Sequence, residues 1–133
     1  MRLADFCFVA AALCGLSGMS LGIWMGMHED FTLAPVHAHI NLLGWVTLAL
    51  YGLYHRGVER ASNRLAWTQV GCVALGMPLM TGGLAAFLAT GAHSAPFIIA
   101  GSVLVLLGMA LFLAVVVADL VAARRPSPVL APA

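Results

Sequence analysis

The chain has 133 residues, 62% of them apolar and only 8% charged, with a formal net charge of +1 and a mean hydropathy of +1.02. A soluble domain carries about 25% charged residues, so this chain lacks the polar surface that a soluble enzyme, a nucleic-acid binder or a disordered segment requires. It reads as an all-α integral membrane protein whose surroundings are membrane lipid.

Four apolar runs occur in order, near residues 6–27, 35–55, 65–89 and 96–121. Each approaches the roughly 20 residues that a helix needs to cross a hydrocarbon core. They are too long and too uniformly apolar for barrel strands. Short connections make successive helices antiparallel neighbours. The expectation is one four-helix bundle over residues 1–125, followed by a frayed tail at 126–133 with three prolines.

The first run opens after Arg2 and contains Asp5. That acid and the length of the run favour a retained span over a cleaved signal peptide. Cys7 and Cys14 are seven apart and share a face, as small packing residues do. Gly18, Gly22 and Gly26 repeat at four-residue spacing, which lets another helix, or a flat cofactor, come close. His28, Glu29 and Asp30 end the run.

The second run begins at Pro35, an imino acid suited to the first helical position, and carries His37 and His39 in its opening turns. The third holds Cys72 and a cluster of Gly76, Pro78, Gly82 and Gly83 that should kink or loosen it. His93 lies in the next loop. In the fourth run Asp119 is expected to pair with Arg124 or snorkel beside it. No Cys-x-x-Cys-His occurs, which excludes covalent c-type haem attachment.

All six basic residues are arginines: Arg2, Arg56, Arg60, Arg64, Arg124 and Arg125. With four spans they fall on one side, and the positive-inside rule makes that side cytoplasmic. Both termini are then cytoplasmic, and a bacterial inner membrane is the expected location. His55 is also on that side and reads as a solvated helix end, whereas His28, His37, His39 and His93 gather on the outer side. Polar side chains at membrane depth are costly, so these four are the candidate metal ligands.

His37 and His39 are two apart, about 200° around a helix. They point to opposite faces and do not readily share one metal ion. Gly44, seven residues after His37, returns to nearly the same azimuth with Asn41 between them. A glycine there would leave a flat slot suited to a porphyrin, with Trp45 as a lining residue.

The stretch His37-Ala-His-Ile-Asn-Leu-Leu-Gly-Trp-Val46 resembles the His-x-His-x4-Gly-Trp-Val pattern of haem–copper oxidase subunit I. The likeness is strongest to the C-type oxidases and nitric oxide reductases. The resemblance spans about ten residues of the chain. It implies that His37 and His39 ligate haem, His37 in the place of the high-spin ligand and His39 in that of the low-spin ligand. It also implies a single four-helix unit of a larger ring, hence a homo-oligomer, dimer or trimer. The adjacent histidine pair that the family needs for copper is missing, so oxygen or NO reduction does not carry over.

Three functions stay open from the residues. One is a small b-type cytochrome holding haem b through His37 and His39, with Asn41, Gly44 and Trp45 around it and a redox partner elsewhere. The second is a copper or zinc protein using His28, His37, His39 and His93 with nearby carboxylates. The third is a cofactor-free assembly subunit held by its glycine stripes.

Overall fold

The computed structural model describes residues 2–58 and 64–124. Arg60, Arg125 and the tail at 126–133 lie outside the described residues. Among those residues there is no strand, and four helices are long and apolar enough to span a membrane. They are α1 (Leu3–His28), α2 (Ala34–Gly57), α3 (Arg64–Thr90) and α4 (Ala95–Ala123). Each extends past its expected apolar run by a few residues, because polar termini join the helix once its backbone hydrogen bonds continue.

The helix ends follow local chemistry. Glu29 takes the left-handed conformation (φ 53°) after α1, and its N–H reaches the Met25 carbonyl. Asp30 then accepts the Thr32 N–H at 3.0 Å, closing a tight turn before Pro35 enters α2. Gly91 (φ 68°) ends α3, where only glycine takes positive φ without strain.

Gly76 and Gly101 let α3 and α4 meet backbone to backbone. A Cβ on Gly76 would stand 2.8 Å from the Gly101 carbonyl oxygen, and one on Gly101 would strike the Met80 backbone. Gly83 lies against Phe97 and Ile98, and Gly108 against Val73, so the two helices run antiparallel. Pro78 sits inside α3 without ending it, because its partner helix and membrane surroundings favour a continuous helix.

α1 packs on α2, α2 on α3 and α3 on α4, with a smaller contact between α1 and α3, while the α4 and α1 backbones do not approach each other. Glycines concentrate the closest packing within the α1–α2 and α3–α4 hairpins. The shared core is Cys7, Ala11, Leu48, Tyr51, Val70 and Val73, with Phe6 and Phe112 at its edge. It lies toward the end that carries Arg2, Arg56, Arg64 and Arg124.

α2 is not uniform. Residues Ile40–Val46 form a π-helix between two α-helical stretches. The Thr47 N–H and hydroxyl both donate to the Leu42 carbonyl, the latter at 2.8 Å, which seals the wider turn. Long π segments are rare, and they often mark functional sites.

Candidate histidine site at the N-terminal end of α2

His37 faces α1. Its Nδ1 lies 2.8 Å from the Gly18 carbonyl oxygen. A carbonyl only accepts, so Nδ1 carries the proton and Nε2 the lone pair. Asn41 donates its amide N–H to the His37 carbonyl at 2.9 Å, and that amide nitrogen stands 3.4 Å from both ring nitrogens. The His37 ring edge fills the space at Gly22, where a Cβ would lie 2.8 Å from Cε1.

The contact continues down the interface. Asn41 occupies Gly18 and the Trp45 ring lies over Gly15. His37, Asn41 and Trp45 are thus matched with Gly22, Gly18 and Gly15. In a regular α-helix, positions four apart drift by about 40°. The wider π turn counters that drift and keeps all three side chains over the glycine groove.

At Gly44, where the sequence suggests a slot, a Cβ would lie 2.8 Å from Cβ and Sγ of Cys14 and 3.0 Å from the Met77 methyl. Side chains from α1 and α3 fill that space. The glycine stripe packs α2 at Gly18 and Gly22, whereas Gly26 has nothing within 4 Å of an added Cβ.

His39 leaves α2 in another direction. Its Nδ1–H donates to the Pro35 carbonyl at 2.6 Å, one turn back in its own helix. The lone pair is again on Nε2, here with no partner among the described residues. Leu42, Val46, Leu50 and Leu53 continue the His39 face along the helix, and all four are exposed. An imidazole therefore opens an otherwise apolar, lipid-facing surface.

His28 and His93 are held apart from this site. His28 donates Nδ1–H to the Trp24 carbonyl at 2.8 Å and stacks on the Trp24 ring at 4.6 Å. His93 is at the rim of a groove of about 410 Å³ between α3 and α4, lined by Pro78, Gly82, Ala86 and Phe97. Among the described residues, no three His, Cys, Asp or Glu side chains converge to hold a metal ion. The four-histidine metal set expected from the sequence is not assembled within one chain.

Sequence reasoning missed a second polar cluster, at the arginine-bearing end. The Tyr54 hydroxyl donates to Oδ2 of Asp119 at 2.6 Å, which joins the aspartate to α2. His55 is half-buried and its Nε2 lies 3.1 Å from Oε1 of the fully buried Gln69, which replaces the expected solvated helix end. Phe112 touches the rings of both Tyr51 and Tyr54. The one sequence signal was Gln69 itself, an amide within an apolar run.

The donor geometry of His39 suits haem iron. Metal-bound histidines commonly donate their second ring N–H to a backbone carbonyl, which orients the ring and raises the basicity of the ligating nitrogen. His37 has the same tautomer but is wedged between helices, where a porphyrin would displace α1. Comparison of the chain with protein-family models, curated proteins and solved structures finds no match in any of the three.

Proposed function

We propose that this protein is a small b-type membrane cytochrome that holds haem b noncovalently at the outer end of α2, with His39 as an iron ligand. His39 is the observation that carries it: a half-buried imidazole beside the exposed apolar side chains of Leu42 and Val46, its Nδ1–H tied to Pro35 and its Nε2 lone pair without a partner among the described residues. A polar group in that position is costly without a partner, and neutral imidazole is a good ligand for iron.

The haem–copper oxidase resemblance at His37–Val46 supports the same cofactor. His37 then serves as the tie that fixes α2 against α1, and Asn41 and Trp45 complete that tie. Bound haem would supply one-electron transfer when both axial positions carry histidine, or diatomic gas binding when only one does. The chain contributes the ligand, its orientation and an apolar wall at Leu42 and Val46 that excludes water. The copper ligands of the oxidases have no counterpart, so the role is that of a redox or gas-binding component with its redox partner outside the chain. The four described arginines at one end support placing that end, with both termini, in the cytoplasm of a bacterium.

Oxidised and dithionite-reduced visible spectra of the purified protein test this. Sharp reduced α and Soret bands, lost in His39→Ala, are expected. A colourless wild type expressed with excess haem overturns the proposal.

A further inference from the structure

We infer that His55, Gln69 and Tyr51 form a proton-driven hydrogen-bond switch at the arginine-bearing end. The charge on His55 sets which way the Gln69 amide points, and the amide sets which helix Tyr51 is tied to. The groups form a chain across three helices. His55 Nε2, on α2, lies 3.1 Å from Oε1 of Gln69 on α3. The Gln69 Nε2 has no hydrogen-bond partner and neighbours the Tyr51 hydroxyl. That hydroxyl reaches Sδ of Met109, on α4, at 3.7 Å. Gln69 and Tyr51 are fully buried, whereas His55 is half-buried at the helix end. Tyr51 is one turn deeper than His55, about 6 Å along α2.

Hydrogen-bond accounting separates two arrangements. With a proton on Nε2, His55 donates to Oε1, the amide N–H faces the Tyr51 oxygen, and the Tyr51 proton is directed at the Met109 sulfur. A charged imidazole allows only this one, because it has no lone pair left to accept from the amide. When His55 gives its Nε2 proton to solvent, the ring lone pair accepts from the Gln69 N–H, and Oε1 comes round to accept the Tyr51 hydroxyl. Thioether sulfur is a weak acceptor, so the neutral state gains by exchanging it for an amide oxygen. An amide has nearly the same shape either way round, and its turn requires no movement of α3. Protonation thus ties Tyr51 to α4, and loss of the proton transfers Tyr51 to α3.

Among the described residues, the other titratable or charged groups around this end come from every helix. They are Tyr54 and Arg56 on α2, Arg64 and Cys72 on α3, and Asp119 and Arg124 on α4, with Cys7 and the exposed Arg2–Asp5 pair on α1. None of them can replace His55 in the chain, since only His55 meets the Gln69 oxygen.

Gln69 is the only glutamine in the sequence and Tyr51 is one of two tyrosines, so isotope-labelled glutamine and tyrosine give assignable NMR signals from the full chain in detergent micelles. The titration runs from about pH 5 to 8, the range in which imidazole changes charge. The Gln69 amide protons and the Tyr51 ζ carbon should shift together, with the midpoint of the His55 ring nitrogens. His55→Asn still bonds to the amide but carries no titrating proton, and it should abolish the Gln69 transition. Tyr51→Phe should leave His55 titrating and remove the response of the amide proton that faces the tyrosine. A Gln69 pair that does not move with pH in folded wild type, or that moves unchanged in His55→Asn, overturns the switch. A full wild-type amide response in Tyr51→Phe overturns it too, because the change would then stop at the His55–Gln69 bond.

Discussion

Across the α1–α2 interface the Nδ1–H of His37 donates to the Gly18 carbonyl at 2.8 Å. This bond spans 19 residues of sequence and is possible only because α1 presents no side chain there. A methyl group on Gly18 would lie 2.5 Å from Nδ2 of Asn41 and 2.6 Å from its Oδ1. Gly18→Ala should therefore destabilise the protein by about 1–3 kcal/mol, the usual range for overpacking. Gly26→Ala, with open space around it, should stay within about 0.5 kcal/mol. Equilibrium unfolding of both variants in the same detergent measures the difference.

The Tyr54–Asp119 bond at 2.6 Å ties α4 to α2. Tyr54→Phe should cost about 1–3 kcal/mol, the range for leaving a buried acceptor without its donor. Asp119→Asn keeps an acceptor oxygen and should cost less. A double-mutant cycle on unfolding free energy gives their coupling, and additive losses would show that the bond contributes nothing.

Gln69 is fully buried. Its Nε2 neighbours the Tyr51 hydroxyl without meeting it in a hydrogen bond, while Oε1 faces His55. Gln69→Leu removes one bond and one unsatisfied donor together, so it should change stability by less than about 1 kcal/mol. His55→Leu leaves the whole amide without a partner and should cost more. Thermal unfolding of the two variants checks the order.

The four spans and the placement of His37 and His39 on different sides of α2 were legible in the sequence. Apolar length decides the first, and two residues of helical rotation decide the second. The backbone-to-backbone approach of α3 and α4 was not, because it depends on Gly76 and Gly101 meeting across the helices. The filling of Gly44 by Cys14 and Met77 was hidden for another reason. A π turn shifts every azimuth after Ile40, and nothing in Ile40–Val46 announces it. The Tyr54–Asp119 bond was hidden because its two partners lie 65 positions apart.

Asp30 is held below the usual carboxylate range by its hydrogen bond with Thr32 and, less strongly, by the His28 charge. A lowered folded-state pKa means that the turn gains stability above the unfolded value of 3.8. That gain is lost as pH falls through the lower folded value. The Thr32 amide shift, followed by NMR from neutral pH downward, should move with a midpoint below 3.8. Asp30→Ala should abolish the transition.

The central claim is that His39 holds haem iron. The most direct measurement is the reduced-minus-oxidised visible spectrum of wild type beside His39→Ala and His37→Ala, each purified after expression with added haem. Sharp α and Soret bands in wild type, abolished in His39→Ala and retained in folded His37→Ala, are the predicted result. Bands unchanged in His39→Ala, or absent from wild type, would contradict it.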